Sequence, residues 1–261
     1  MSDGPMYELS PIASQRTPRL PGLVVQRPTG DALIDALLAD LFIHAGNCVR
    51  EFGDFHLVID ADPAIEPVLR RLLYDPAYRE MPWTRTRVWL ASEQRVPPDD
   101  PARAWPIVRD MIGAHSGIPD DQIHAIDPDA PEAYDALLRE HLGWRPKGHD
   151  RPDCALLVLR ADAGVGAVRG ANSIARGDFC VEHGSTPTSP ATVGVNDAIL
   201  NASRLVAVYV SGEDARRGLS LLERARGTSA ALGAMALRPP AGELRWYVDP
   251  ACCTRVPAEH S

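Results

Sequence analysis

Asp153-Cys-Ala-Leu-Leu-Val-Leu-Arg160-Ala-Asp162-Ala-Gly164-Val-Gly166-Ala-Val-Arg169-Gly170 reads as a buried strand running into a loop of small residues. Cys154 to Leu159 is an apolar run of strand length, bounded by Pro152 and by the glycine-containing loop. Near-continuous apolar character fits a strand covered on both faces, as in a parallel sheet flanked by helices. Ligands of such sheets bind beyond the carboxyl ends of the strands, so the loop from Arg160 to Gly170 is where chemistry is expected. The loop holds no His, Lys, Ser or Cys, and its titratable side chains are Arg160, Asp162 and Arg169. Gly164-x-Gly166 alone favours a tight turn over a phosphate cradle.

Working outward, the same pattern repeats. Gly22–Gln26 and Phe55–Ile59 read as strands, with a helix from about Asp31 to Phe52 between them, capped by Thr29 and apolar along one face. Asp60-Ala-Asp62-Pro63 is a turn into a helix through Ile65, Val68, Leu69 and Leu72, with Pro63 suited to its start. Thr86–Ala91 is a strand, followed by a loop and a helix around Trp105–His115. Ile123–Ile126 is extended. Asp129 is expected to cap a helix Ala130–Leu142, with Glu132 placed for a capping box. After the opening stretch comes a loose region. Thr192–Val195, a turn Asp197–Ala202, a strand Arg204–Val210, a helix from Gly212 to about Arg226 and a strand Glu243–Val248 close the chain. Strands alternating with helices predict an α/β, Rossmann-like layered domain with a mainly parallel sheet and helices on both faces. Residues 1–21 read as a polar, proline-punctuated arm, and residues 22–261 as the domain.

The totals exclude several classes. At 261 residues the chain suits one large α/β domain or two small ones. A net charge of −8 without a Lys/Arg run provides no footprint for nucleic acid. The sequence shows no apolar run of membrane-span length and no basic-then-apolar leader, so no membrane association is expected. The 5 Cys are scattered and lack metal-ligand spacing, which points to a reduced, cytoplasmic setting and to no metal.

Several phrases, in this order and spacing, resemble the 6-phosphogluconolactonase family, which is related to glucosamine-6-phosphate deaminase. They are Trp83, Val88-Trp89 and Val96-Pro97; Asp153 to Val168; Asn201-Ala202 with the strand to Val210 and Gly212-Glu-Asp; and Trp246-Tyr-Val-Asp249. The resemblance covers nearly the whole chain from about Gly22. It implies the family's fold, a sugar-phosphate lactone as substrate, hydrolysis without a cofactor, and a place in the pentose phosphate pathway.

The residues that carry the family's reaction are not matched. The phosphate-binding Gly-Gly-Ser-Thr-Pro turn falls on Ile59 to Pro63 and keeps only the proline. The Asp-Glu-Arg falls on Ser92-Glu93-Gln94, or with a slip of one residue retains Arg95. The catalytic His falls on Gly164, with Asp162 in the place of the preceding Asp. The Arg before the Thr-Leu-Thr strand falls on Thr192, and the Lys falls on Ala215 beside Arg216. Lactone hydrolysis needs a base near neutral pKa and cations or donors for oxyanion and phosphate. Gly164 takes no proton, and Asp60, Asp62, Glu93 and Asp162 converging at neighbouring strand ends would repel a phosphate dianion.

Three expectations follow. In the first, the chain is a divergent pseudoenzyme that binds a small sugar-related ligand or a protein partner. In the second, it is a lactonase with a rearranged site, His183 or His149 serving as base and Arg95 or Arg216 holding phosphate. In the third, Asp60, Asp62, Glu93 and Asp162 form an acidic, cation-assisted pocket. Structural roles compete with each. Asp62 suits a helix cap, Asp162 an Asx turn, Arg95 an exposed loop, and Cys180-x-x-His183 an incidental spacing. The tryptophans and Cys252-Cys253 suit packing.

Overall fold

The computed structural model describes residues 16–143, 151–170, 173–187, 189–226, 228 and 232–253. Most of the expected arm, together with Trp144 and His149, lies outside the described residues.

The elements in chain order are β1 (Leu23–Val25), α1 (Gly30–Phe52), β2 (Phe55–Ile59), α2 (Glu66–Tyr74), β3 (Thr86–Leu90), β4 (Ser92–Gln94), α3 (Trp105–Ile107), β5 (Ile123–His124) and α4 (Pro131–Leu142). They continue with β6 (Cys154–Val158), β7 (Ser173–Ala175), β8 (Cys180–His183), β9 (Thr192–Val195), α5 (Asp197–Ala202), β10 (Leu205–Val210), α6 (Gly212–Ala225) and β11 (Glu243–Val248).

Among the described residues, seven strands form one sheet in the order β1-β11-β10-β6-β2-β3-β5, and every neighbouring pair is parallel. Every residue of β2, β6 and β10 is buried, which requires cover on both faces. The α/β class read from the sequence is the one observed. From β2 the chain proceeds through β3 to β5; from β6 it proceeds the other way through β10 to β11. The reversal lies between β2 and β6, paired as Leu57 with Cys154 and Ile59 with Leu156. A crevice beyond the carboxyl ends at such a reversal is where open α/β sheets hold ligands.

Local chemistry sets the boundaries. Thr29 accepts the Ala32 amide at the start of α1, and Gly53 ends it with φ 94°, a conformation that costs glycine little. Over an 18-residue window α1 has a mean hydropathy of 1.5, long and apolar enough to cross a membrane. This corrects the reading that no such segment exists. Its seven buried residues, from Leu33 to Cys48, belong to the same core as the sheet, so the apolar length serves packing here.

Three expectations need revision. Asp129 does not cap α4: Ala130 holds that position without a side-chain bond, and the Asp129 amide instead donates to Asp127. Pro131 leads the helix, where the proline's missing N–H costs nothing. The helix at Trp105 is short and passes into a π-helical segment, Val108–Gly113. The region read as loose contributes β7 and β8 to an antiparallel sheet of order β4-β9-β8-β7. Its strands have no legible alternation, because β8 and β9 are buried throughout and β7 is exposed throughout.

Candidate functional site

A cleft of about 700 Å³ opens beyond the carboxyl ends of β2, β6 and β10. Its walls are Asp62–Ala64 after β2, Val158–Asp162 at the end of β6, and Ser211–Ala215 where α6 begins. Gln94, Arg169 and Ser189 complete it. The size falls within the usual range for small-molecule sites.

Arg160 bridges the reversal point. Its Nη2 donates to Asp60 Oδ1 at 2.7 Å, and its Nη1 donates to Asp62 Oδ2 at 2.8 Å. Asp60 is fully buried and also accepts the backbone amide of Gly166 at 3.0 Å. Asp62 caps the turn at Pro63 by accepting the Ala64 amide at 2.9 Å, the structural role foreseen for it. Burial alone would lower the Arg160 pKa, but Asp60 and Asp62 outweigh it and raise the value. The Arg160 Nε is buried and finds no hydrogen-bond partner among the described residues.

The following loop is built around Gly164. Asp162 Oδ1 accepts the Gly164 amide at 2.8 Å, forming the Asx turn that competed with a ligand role. Gly164 returns a carbonyl to the Arg160 amide at 3.0 Å. A Cβ at Gly164 would lie 2.8 Å from Asp162 Oδ1 and 2.9 Å from Arg169 Cγ. Arg169 is 7% exposed at its side chain; it donates to the Gly166 carbonyl and to Ser189, with Asp162 3.6 Å away. Burial and the neighbouring Arg160 lower its pKa.

The other candidates lie elsewhere. Glu93 does not join the Asp60, Asp62 and Asp162 carboxylates. It is fully buried, and its oxygens accept the Ala104 amide at 2.8 Å and the Trp105 amide at 3.0 Å, with Arg103 Nε at 3.4 Å. It caps the segment entering α3, where free amides require an acceptor. Arg95 donates to the Pro128 carbonyl at 2.6 Å and lies 3.4 Å from Glu182, so it ties loops together. Arg216 is exposed and pairs with Glu213 on α6 at 2.8 Å.

His183 ends β8 with Nδ1 buried and without a partner among the described residues. Burial and then Arg169 lower its pKa, while Asp162 opposes them, so His183 feels the charges at the cleft edge without lining the cleft. Cys180, three residues earlier on the same strand, projects to the opposite face, which breaks the Cys-x-x-His reading geometrically. Among the described residues, no group of three or more His, Cys, Asp or Glu is arranged to hold a metal. Trp83, Trp89 and Trp246 are buried in the core, as expected for packing, and Cys252 and Cys253 are both free thiols.

Arg160 and Arg169 are the functional-site residues that sequence reasoning did not select, although it named both as the loop's titratable groups. The missed signal was an arginine directly after an all-apolar strand, facing two aspartates after the neighbouring one.

A parallel sheet with a reversal-point cleft defines an α/β domain of the kind that holds ligands beyond its strand ends. The chain belongs to the family of glucosamine-6-phosphate isomerases/6-phosphogluconolactonase, whose model matches residues 28–246. The human GDH/6PGL endoplasmic bifunctional protein is 25% identical over 227 residues, a match that covers 84% of this chain and 28% of that protein. The chain thus spans well under a third of the length of the curated relatives it matches. Solved structures share the fold. 6-Phosphogluconolactonase from Thermotoga maritima superposes with a TM-score of 0.71 at 18% identity, over 87% of this chain and 99% of that one. The enzyme from Trypanosoma brucei gives 0.71 at 17% identity, over 92% and 98%.

Proposed function

We propose that this chain is a family member in carbohydrate metabolism that no longer hydrolyses 6-phosphogluconolactone and uses its cleft to bind a sugar-related ligand. The observation that carries this reading is the bridge from Arg160 to Asp60 and Asp62. It commits a cation lining the cleft to two carboxylates. Arg169 is likewise held by Asp162 and Ser189. With Glu213 and Asp214 on the remaining wall, the cleft provides, among the described residues, no unpaired guanidinium for a phosphate dianion. The position matched to the family's base is Gly164, inside a turn where a Cβ would force Asp162 or Arg169 to move.

The test is lactonase assay of the purified protein on freshly generated 6-phosphogluconolactone, compared with the spontaneous rate. No acceleration at high protein concentration is the expected result. Normal turnover would overturn the proposal.

One observation favours a second reading, an active lactonase with a rearranged site. His183 keeps an imidazole nitrogen without a partner among the described residues and feels both Arg169 and Asp162. Under that reading, turnover is present and is abolished in His183→Ala.

A further inference from the structure

A second cavity, of about 440 Å³, lies away from the cleft and shares none of its lining residues. Its floor is apolar, made by Leu20, Pro21, Leu222 and Met235 over the buried indole of Trp246. Three arginines, Arg19, Arg226 and Arg238, stand around it, and no carboxylate lines it among the described residues. Arg226 follows the last residue of α6, whereas the cleft is walled by the first residues of that helix. A helix of 14 residues separates its ends by about 20 Å, so the two cavities are independent places on the domain.

The walls are fixed before any ligand arrives. Trp246 Nε1 donates to the Pro21 carbonyl at 2.7 Å, which pins the segment carrying Arg19. Asn201 accepts the Arg238 amide at 2.6 Å and donates to the Ala236 carbonyl at 2.9 Å, which pins the segment carrying Met235 and Arg238. A preformed cavity is spared the cost of ordering on binding.

Charge singles the cavity out. The chain has 35 acidic against 27 basic residues, and 12 of its described arginines form ion pairs. Arg19, Arg226 and Arg238 are exposed, and none of them is paired with an acidic side chain among the described residues. Arg238 makes one side-chain bond, to the Leu237 carbonyl. The negative end of α6 offsets about half a charge, against three full ones. A guanidinium fork fits a carboxylate or a phosphate head group with paired hydrogen bonds, and the apolar floor fits a hydrocarbon body.

We propose that this cavity binds a small amphiphilic anion, with its head group among Arg19, Arg226 and Arg238 and its apolar part on Leu20, Leu222 and Met235. The site is separate from the cleft, and the proposal stands or falls independently of lactone turnover.

The experiment is isothermal titration of the full chain with decanoate, with decyl phosphate and with decyltrimethylammonium. Saturable one-to-one binding of either anion and none of the cation is expected, and the better anion identifies the head group. The double variant R226E/R238E should weaken binding at least about tenfold, the loss expected for charge-assisted hydrogen bonds. Raising NaCl from about 0.05 to about 0.5 M should weaken binding to the wild-type protein, because the head group meets exposed charges. This salt series tests the proposal even if the variant folds poorly. No saturable binding of either anion, equal binding of the cation, or affinity unchanged by both the variant and salt would overturn it.

Discussion

Arg160 Nη2 lies 2.7 Å from Asp60 Oδ1 across the reversal point of the sheet, joining the first residue after β2 to a residue just beyond β6. Asp60 is fully buried, so the pair works in a low-dielectric setting where each partner needs the other. The two halves of the sheet are therefore joined at their carboxyl ends by charge as well as by backbone pairing.

Arg160→Leu should be strongly destabilising, because it strands a buried carboxylate; the expected loss is roughly 3–5 kcal/mol. Asp62→Ala should cost about 1 kcal/mol, the worth of a helix cap on a residue that solvent still reaches. Urea unfolding of both variants checks the ranking. Equal losses would mean that Asp60 finds sufficient compensation in the Gly166 amide and its other neighbours.

Gly164→His would restore by sequence the residue type that the family uses for proton transfer. It should nevertheless give no turnover and should destabilise the fold. The new Cβ would enter at 2.8 Å from Asp162 Oδ1 and 2.9 Å from Arg169 Cγ, forcing the turn or the arginine to move. Overpacking of this kind costs typically 1–3 kcal/mol. The lactonase assay and a melting curve together decide it, and a stable, active variant would refute the claim that the loop is closed to a side chain at this position.

The layered fold was legible because β2, β6 and β10 are apolar throughout but for His56, a pattern that two-sided cover explains. The carboxylates after β2 were legible as a group at the cleft for the same reason: strand ends fix them. Glu93 was misplaced because the sequence does not show which way a side chain turns where one sheet gives way to another. It sits on β4, in the antiparallel sheet, and faces the amides of Ala104 and Trp105. The Arg160 bridge was missed because it spans about a hundred residues of chain, and no local pattern reports a partner that distant.

Glu93→Ala should therefore behave as a structural lesion. It removes the acceptor of three amides, those of Gln94, Ala104 and Trp105, and the partner of Arg103, with an expected cost on the order of 3 kcal/mol. Glu93→Gln retains one oxygen and should cost clearly less. Neither should change the affinity of a cleft ligand once the protein is folded. A change in ligand affinity without a change in stability would reverse the assignment and return Glu93 to the site.

Acid should destabilise the fold through His124. Its ring stacks on Trp89 with centroids 3.9 Å apart, and Nε2 is buried with no partner among the described residues. Burial, then His141, Arg87 and His56, lower its pKa to about 3. The depressed value means that the unfolded chain binds a proton that the folded chain refuses. The stability is fully present above about pH 6.5 and drains as pH falls towards 3. His141 and His183 are lowered too, burial being the first cause in both, and they add in the same direction. One such proton gives a slope of up to about 1.4 kcal/mol per pH unit. His124→Phe retains an aromatic ring against Trp89 and removes the titration. Its stability should fall less steeply than the wild type's between about pH 6.5 and pH 4, measured by urea midpoints at successive pH values. Parallel slopes for the two proteins would show that the acid sensitivity resides in other groups.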